Sequence, residues 1–323
     1  MKKSLVIINV FLMLFFTNCS KNNLGEPITG KKWNIDLIKY LDNSYTQTFE
    51  SNLYEAFREN GFKEGRDYEI RSRSAQSDIS NLTLLVNAAV TDKVDLLITF
   101  QAQSLYAAIN RAPNIPKIFT LLQNPFIMGA GQSDSNHIPN LTGFYIIPPV
   151  DLLLDAALKC EPKIKKAGTL FMIGDDDSVL RKEELIKAAA SRNIEIAAEG
   201  YSSQLEISNA AASLIAKDVD SMIHLMDPSQ DVTFPAMFDI AKRQKKPVLS
   251  VVHNMQKIGA SIVYSTDRNE MGKKFAEMVI RIMKGENPSN MPFENDIALP
   301  KKIGVNVTAA KDANYFIPDS LYK

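Results

Sequence analysis

Lys93-Val94-Asp95-Leu96-Leu97-Ile98-Thr99-Phe100-Gln101-Ala102-Gln103-Ser104 decides how the rest of the chain is read. The run 95–100 is nearly continuous in apolar residues, which suits a parallel strand covered on both faces. Gln101 to Ser104 then leads straight into a helical period. Working outward, the same kind of run recurs at 117–122, 168–173, 221–226 and 248–252. Amphipathic segments lie between the runs. Phe49, Leu53, Ala56 and Phe57 keep helical spacing and stop at Asn60-Gly61. Ile79, Leu82, Val86, Ala89 and Val90 do the same, as do Ile186, Ala189 and Ala190 after an acidic first turn, and Phe275, Val279, Ile282 and Met283 before Lys284-Gly285.

A βαβα order of buried strands predicts doubly wound parallel sheets. The pattern occurs twice, over about 34–145 and about 165–263, with the stiff connector Ile146-Ile147-Pro148-Pro149 between. The expected fold class is α/β, with two doubly wound parallel-sheet lobes joined by a hinge. The N-terminal lobe takes 34–147 and about 265–290. The C-terminal lobe takes 148–264 and about 291–323, including a short strand pair at 296–299 and 303–307.

The first residues are set apart from that fold. Lys2 and Lys3 precede an apolar stretch at 5–16, too short to span a bilayer and the length of a signal-peptide core. It ends at Phe15-Phe16-Thr17-Asn18-Cys19, which resembles a bacterial lipobox, although Asn18 stands where a smaller residue is usual. Residues 1–19 are expected to be a lipoprotein signal, with acylated Cys19 holding the protein on a membrane face. An ordinary secretory signal with an incidental Cys is the alternative. Residues 20–33 are polar and form a tether.

Lys and Arg together number 37, as do Asp and Glu, so no electrostatic footprint for nucleic acid exists. With Cys19 lipidated, Cys160 has no partner, and its helical apolar setting reads as a small buried hydrophobe.

Ligands of open α/β sheets bind beyond the carboxyl ends of the strands. That rule selects loops holding Tyr40, Asp42, Gln101, Ala102, Gln103, Ser104, Gln123 and Asn124 in the first lobe. In the second lobe it selects loops holding Asp176, Asp177, Ser178, Asp227, His253 and Asn254. The helix start at Gln101–Ser104 offers free N–H groups and the Ser104 hydroxyl to an anion; simple capping by Ser104 is the competing reading. Asp175 to Asp177 open a helix, where acids favour the dipole. Asp227 ends a buried strand and suits an ammonium group; capping the next helix is its alternative. Phe100 and Tyr145 belong to an aromatic rim. His253, at a strand end, is the one loose candidate for acid–base work. No His pair has metal-ligand spacing, and no nucleophile elbow, phosphate loop or dinucleotide fingerprint occurs. No catalytic residue, metal or cofactor is expected. The polar stretch 129–139 is expected as a surface loop.

Ordered pieces of the chain resemble one family. Ala56-Phe57-Arg58-Glu59-Asn60-Gly61-Phe62-Lys63-Glu64-Gly65-Arg66-Asp67-Tyr68 comes first. Asp92 to Ile98 and Asn114-Ile115-Pro116-Lys117-Ile118-Phe119-Thr120 follow, then Asn124-Pro125 and Leu141-Thr142-Gly143. Met271-Gly272-Lys273, Met283 to Pro288 and Ile317 to Leu321 close the series. Together they resemble the ABC-transporter substrate-binding proteins of the tryptophan/tyrosine-binding type, which have a type I periplasmic-binding-protein fold. The resemblance implies a hinged, Venus-flytrap receptor, exported and facing the periplasm or cell exterior, that delivers a small-molecule solute to an ABC permease as a monomer. It also implies that the loop Gln101–Ser104 and the helix start near Ser178 hold a ligand carboxylate while Asp227 meets the amino group. Ala102-Gln103 stand where the family commonly has Thr-Pro, Pro228 stands where it has Asn, and the 132–139 insertion is unusual. An amino acid, an aromatic one included, or a related small carboxylate is the expected solute. A ligand-sensing partner of a membrane receptor and an enzyme on the same scaffold are the alternatives.

Overall fold

The computed structural model describes residues 26–322; the expected export signal and Cys19 lie outside them. In the first lobe the chain runs β1 (Trp33–Lys39), α1 (Ser44–Glu59), β2 (Tyr68–Ser74), α2 (Ile79–Thr91), β3 (Leu96–Phe100), α3 (Ala102–Arg111), β4 (Lys117–Thr120), β5 (Gly131–Ser133), β6 (Asn136–His137) and β7 (Leu141–Tyr145). It then crosses to the second lobe for α4 (Val150–Ala157), β8 (Lys166–Met172), α5 (Asp176–Ala190), β9 (Glu195–Tyr201), α6 (Ile207–Ala216), β10 (Ser221–His224), α7 (Gln230–Arg243), β11 (Val248–Ser250) and β12 (Ile262–Thr266). Helix α8 (Arg268–Met283) and β13 (Glu294–Asn295) return to the first lobe, and β14 (Lys301–Val305) and α9 (Val307–Asp312) end in the second.

The first sheet has the order β13-β7-β4-β3-β1-β2, all parallel; the second has β14-β12-β11-β10-β8-β9, parallel except for β14. This is the expected pair of doubly wound sheets. Their central strands are buried on both faces, which is why 96–100 and 117–120 carry no polar alternation. Helix α8 is fixed to the first lobe by aromatics. The Phe275 ring lies 6.0 Å from Phe49 of α1 and 5.7 Å from Phe100 of β3.

Three details correct the sequence expectation. The stretch from about 291, expected in the second lobe, still belongs to the first. Phe293 packs against Phe119 at 4.9 Å and Phe126 at 6.0 Å, and β13 pairs with β7. The chain crosses only after Asn295, so the expected strand pair at 296–299 and 303–307 does not form; β14 pairs with β12 instead. The stretch expected as a surface loop carries the β5–β6 hairpin, and the His137 ring stacks on Phe293 at 4.5 Å.

Three crossovers therefore connect the lobes, and one carboxylate ties them. Asp296 is fully buried. Its Oδ1 accepts the Ile147 N–H of the first crossover at 2.8 Å. Its Oδ2 accepts the Thr266 hydroxyl of the second and the Lys301 ammonium of the third, the latter at 2.7 Å. Removing one partner of a buried, hydrogen-bonded ion pair strands the rest. Asp296→Ala should lower the unfolding free energy by roughly 3 kcal/mol in urea denaturation; a loss below about 1 kcal/mol would show that the crossovers do not depend on it.

Candidate functional site

The strand order reverses at β1/β3 in the first sheet and at β8/β10 in the second. Such switch points are where open α/β sheets form a crevice. Here the two crevices face each other, and the loops leaving those four strands close on one small polar cavity of about 20 Å³. The first lobe contributes Asn43, Tyr45, Gln101, Ala102 and Leu121. The second contributes Asp175, Asp177, Arg181, Met226, Asp227, Pro228 and Gln230.

The first-lobe wall is a helix start held in a strained pose. Gln101 follows β3 with φ 74° and ψ 156°, a region that side-chain-bearing residues rarely occupy. Its backbone N–H donates to Thr120 O at 2.9 Å and its Oε1 accepts the Leu41 N–H at 2.8 Å, which hold the kink. Gln101 does not cap α3. The N–H groups of Ala102, Gln103 and Ser104 have no partner within the helix, and the positive end of α3 points to the cavity. Two buried polar atoms beside it, Gln101 Nε2 and Ser104 Oγ, have no hydrogen-bond partner.

The second-lobe wall carries charge of the opposite kind. Asp175, Asp177 and Asp227 are all buried around one guanidinium, that of Arg181. Arg181 commits itself to Asp177, to Met226 O and to Gln123 Oε1. Asp175 and Asp227 are left without a cation of their own. Burial, and then the negative charge of Asp177, push the Asp175 carboxyl up to about 7, with Arg181 opposing. Burial pushes Asp227 up to about 6, opposed by the Tyr201 hydroxyl and the Ser229 N–H. Gln230 lines the same wall with both side-chain polar atoms unpartnered.

Direct contacts hold the lobes together on either side of the cavity. Asn43 caps α1 and also donates through Nδ2 to Pro228 O at 3.0 Å. The Ser44 N–H and hydroxyl donate to Asp231 at 2.6 and 2.7 Å, and the Tyr45 hydroxyl accepts the His253 N–H at 2.9 Å. Across the cavity, the Gln123 and Asn124 N–H groups donate to Asp177 at 2.9 and 3.1 Å, and Gln123 Nε2 donates to Glu184.

The structure sorts the residues expected from the sequence. Gln101, Ala102, Asp177 and Asp227 line the cavity. Gln123 and Asn124 are clasp residues rather than cavity walls. Several others point elsewhere. Phe100 lies in the core, since its strand position turns the ring toward Phe49 and Phe275. Tyr40 donates to Ser77 O, and Asp42 pairs with Lys39. Tyr145 donates to Asp134 and accepts from Asn295 near the hinge. Ser178 accepts the Met172 N–H and so pins its own loop. The His253 ring faces Ser265 and Asp267 outside the cavity lining, with burial lowering its pKa. Asn254 takes a left-handed turn beyond β11, outside the cavity lining. Arg181 and Gln230 carry the site without having been singled out, and Asp175, read from the sequence with its two neighbours as a helix-opening acid, lines the cavity as well. Among the described residues, no group of three metal-ligating side chains occurs, and no helix is long and apolar enough to cross a membrane.

The cavity opens outward. Ala102 and Asp175 also line a neighbouring groove of about 740 Å³, together with Gln103 and Asp176. Met128, Tyr106 and Leu82 of α2 add apolar lining to it.

The architecture and the site can be set beside known proteins. A tyrosine-binding protein of Clostridioides difficile is 25% identical over 296 residues, covering 90% of this chain and 86% of that one. Among solved structures, an ABC domain from Streptococcus pneumonia in complex with L-Trp superposes with a TM-score of 0.83 at 18% identity, covering 90% of this chain and 97% of that one. A conserved domain protein from Vibrio cholerae gives 0.83 at 20% identity with the same coverages. The ligand-free, open form of a Clostridium difficile substrate binding protein with adhesive properties gives 0.66 at 23% identity, covering 87% and 95%. The family model described as ABC transporter substrate binding protein matches residues 35–323. Two hinged α/β lobes closing on a polar cavity are thus the working parts of a receptor, and the chain belongs to the ABC transporter substrate binding proteins, extracytoplasmic carriers that hand a small solute to a membrane permease.

Proposed function

We propose that the solute is an α-amino acid with an aromatic or other apolar side chain, gripped as a zwitterion between the lobes. One observation carries this reading. The second lobe buries three carboxylates against a single guanidinium, and they face the positive end of an uncapped helix in the first lobe. An ammonium group completes the charge balance at Asp227 and Asp175. A carboxylate meets the N–H groups of Ala102 to Ser104 and Gln101 Nε2. The side chain leaves through the gap at Ala102 and Asp175 toward Tyr106 and Met128. The tyrosine- and tryptophan-binding relatives support the same class of solute. In this reading the protein changes no covalent bond in its guest, works as a monomer, and is held on the membrane through acylated Cys19.

A thermal-shift screen tests the solute class. At about 100 times its dissociation constant, the right amino acid should add about 2.7 kcal/mol to stability; silence across all aromatic and apolar amino acids would sink the proposal. Asp227→Asn should weaken that binding by about 30-fold or more in calorimetry, because it removes one side of a buried charge pair.

Protons supply an independent check. A carboxyl whose folded-state pKa is raised above its unfolded value holds its proton longer in the folded protein. The contribution of Asp175 and Asp227 to ligand-free stability should therefore fall as pH rises from about 4 to about 7, and it is read as the difference between the wild type and the Asp175→Asn/Asp227→Asn variant, because buried His224, held down to about 3, contributes the opposite slope over much of the same window. An ammonium ligand needs those carboxylates ionised. Its affinity should fall up to about tenfold per pH unit below pH 6 for each proton that must leave, and calorimetry near pH 6 should register proton release on binding. Affinity independent of pH between 5 and 7 would contradict the placement of the ammonium group. Finally, Cys19→Ser should move the protein from the membrane fraction to the soluble fraction and abolish incorporation of a labelled fatty acid.

A further inference from the structure

The groove beyond the cavity is longer than one amino-acid side chain requires. Gln103, Tyr106, Asn110 and Arg111 lie at helical spacing along one face of α3, and all four line the groove. At the helical rise, Gln103 to Arg111 spans about 12 Å. That matches roughly three residues of extended chain. Thr83 on α2 borders the opposite wall. The chemistry also changes along the length. At the inner end stand Asp175 and, through the gap, Asp227; at the outer end stands the exposed Arg111 guanidinium. Between them the walls are apolar at Tyr106, with a buried, unpartnered acceptor at Gln103 Oε1.

We propose that this groove is a second subsite, and that the solutes include short peptides of two or three residues lying along α3. The proposal rests on the head-group reading above. The free N-terminus takes the place of the amino acid's ammonium group at Asp227 and Asp175. The first peptide carbonyl accepts from the start of α3, since N–H donors serve a carbonyl as well as a carboxylate. A peptide N–H donates to Gln103 Oε1, an apolar side chain lies against Tyr106, and the terminal carboxylate reaches Arg111.

Calorimetry on the soluble full-length ectodomain, beginning after Cys19, tests this with phenylalanine, Phe-Ala, Phe-Ala-Ala and N-acetyl-Phe-Ala. Support requires that Phe-Ala or Phe-Ala-Ala binds and that the acetylated peptide does not. Arg111→Gln should then weaken the peptide by about tenfold or more, the loss of a charge-assisted pair, while phenylalanine affinity stays within about twofold. Thr83→Trp, which fills the groove from α2, should weaken the peptide by a larger factor than it weakens phenylalanine, whose ring enters the groove only at Tyr106 and Met128. Circular dichroism of both variants checks that they fold. Phenylalanine binding without peptide binding overturns the second subsite and leaves the head-group reading standing. Peptide binding that neither variant disturbs overturns it as well. Failure of every free amino acid and every peptide brings down the head-group reading, and the subsite with it.

Discussion

Everything at the cleft depends on how three crossing strands are held in register, and a single buried carboxylate does that. Asp296 accepts from Ile147, Thr266 and Lys301, one group from each crossover. The lobes cannot be joined by three independent tethers and still bring four strand ends to one point. With the crossovers tied, the β1/β3 and β8/β10 switch points oppose each other. Lys301 sits 2.7 Å from Asp296, so the carboxylate is buried with a charge partner as well as with neutral donors.

The two lobes divide the chemistry. The first presents partial positive charge from a helix start and amide donors; the second presents carboxylates in excess of cations. Neither wall alone satisfies a zwitterion. The strained backbone at Gln101 belongs to this division. A relaxed residue there would turn α3's first N–H groups elsewhere, and a strain of about 1–3 kcal/mol is what a binding site stores to keep donors aimed.

The fold was legible because buried parallel strands advertise themselves. Runs such as 96–100 are apolar on both faces, and helical periods separate them. What escaped were the elements whose sequence looks like surface. β2, Tyr-Glu-Ile-Arg-Ser-Arg-Ser, is an edge strand whose Arg71 and Arg73 reach the buried Asp36 of β1, so polar residues serve a core partner. At the site, the same ambiguity applied. Asp175, Asp176 and Asp177 are consecutive, and helix geometry sends neighbours about 100° apart, so only one register buries Asp175 and Asp177 while leaving Asp176 outside. Sequence does not fix that register; the cap by Asp175 does. Arg181, which the sequence reading passed over, turns inward beneath Met226 and Gln123. Phe100 failed in the opposite direction: it ends a strand beside the cleft, but its side chain alternates into the core.

Closure without a guest is opposed by the same carboxylates that select the guest. In an open arrangement, water solvates Asp175 and Asp227. Bringing the lobes together strips that water, and the raised pKa values record the resulting penalty. Against it stand the hydrogen bonds of Asn43, Ser44, Tyr45, Gln123 and Asn124, each contributing about 1 kcal/mol net. The two terms oppose each other, so a ligand's differential affinity for the closed form shifts the population. An ammonium group removes the opposing term and leaves the clasps intact. The charge that recognises the solute therefore also couples its arrival to closure, and closure shapes the surface a permease meets. A neutral isostere of the solute would fill the cleft equally well and still leave the carboxylates unpaired, which is why charge rather than shape governs the switch.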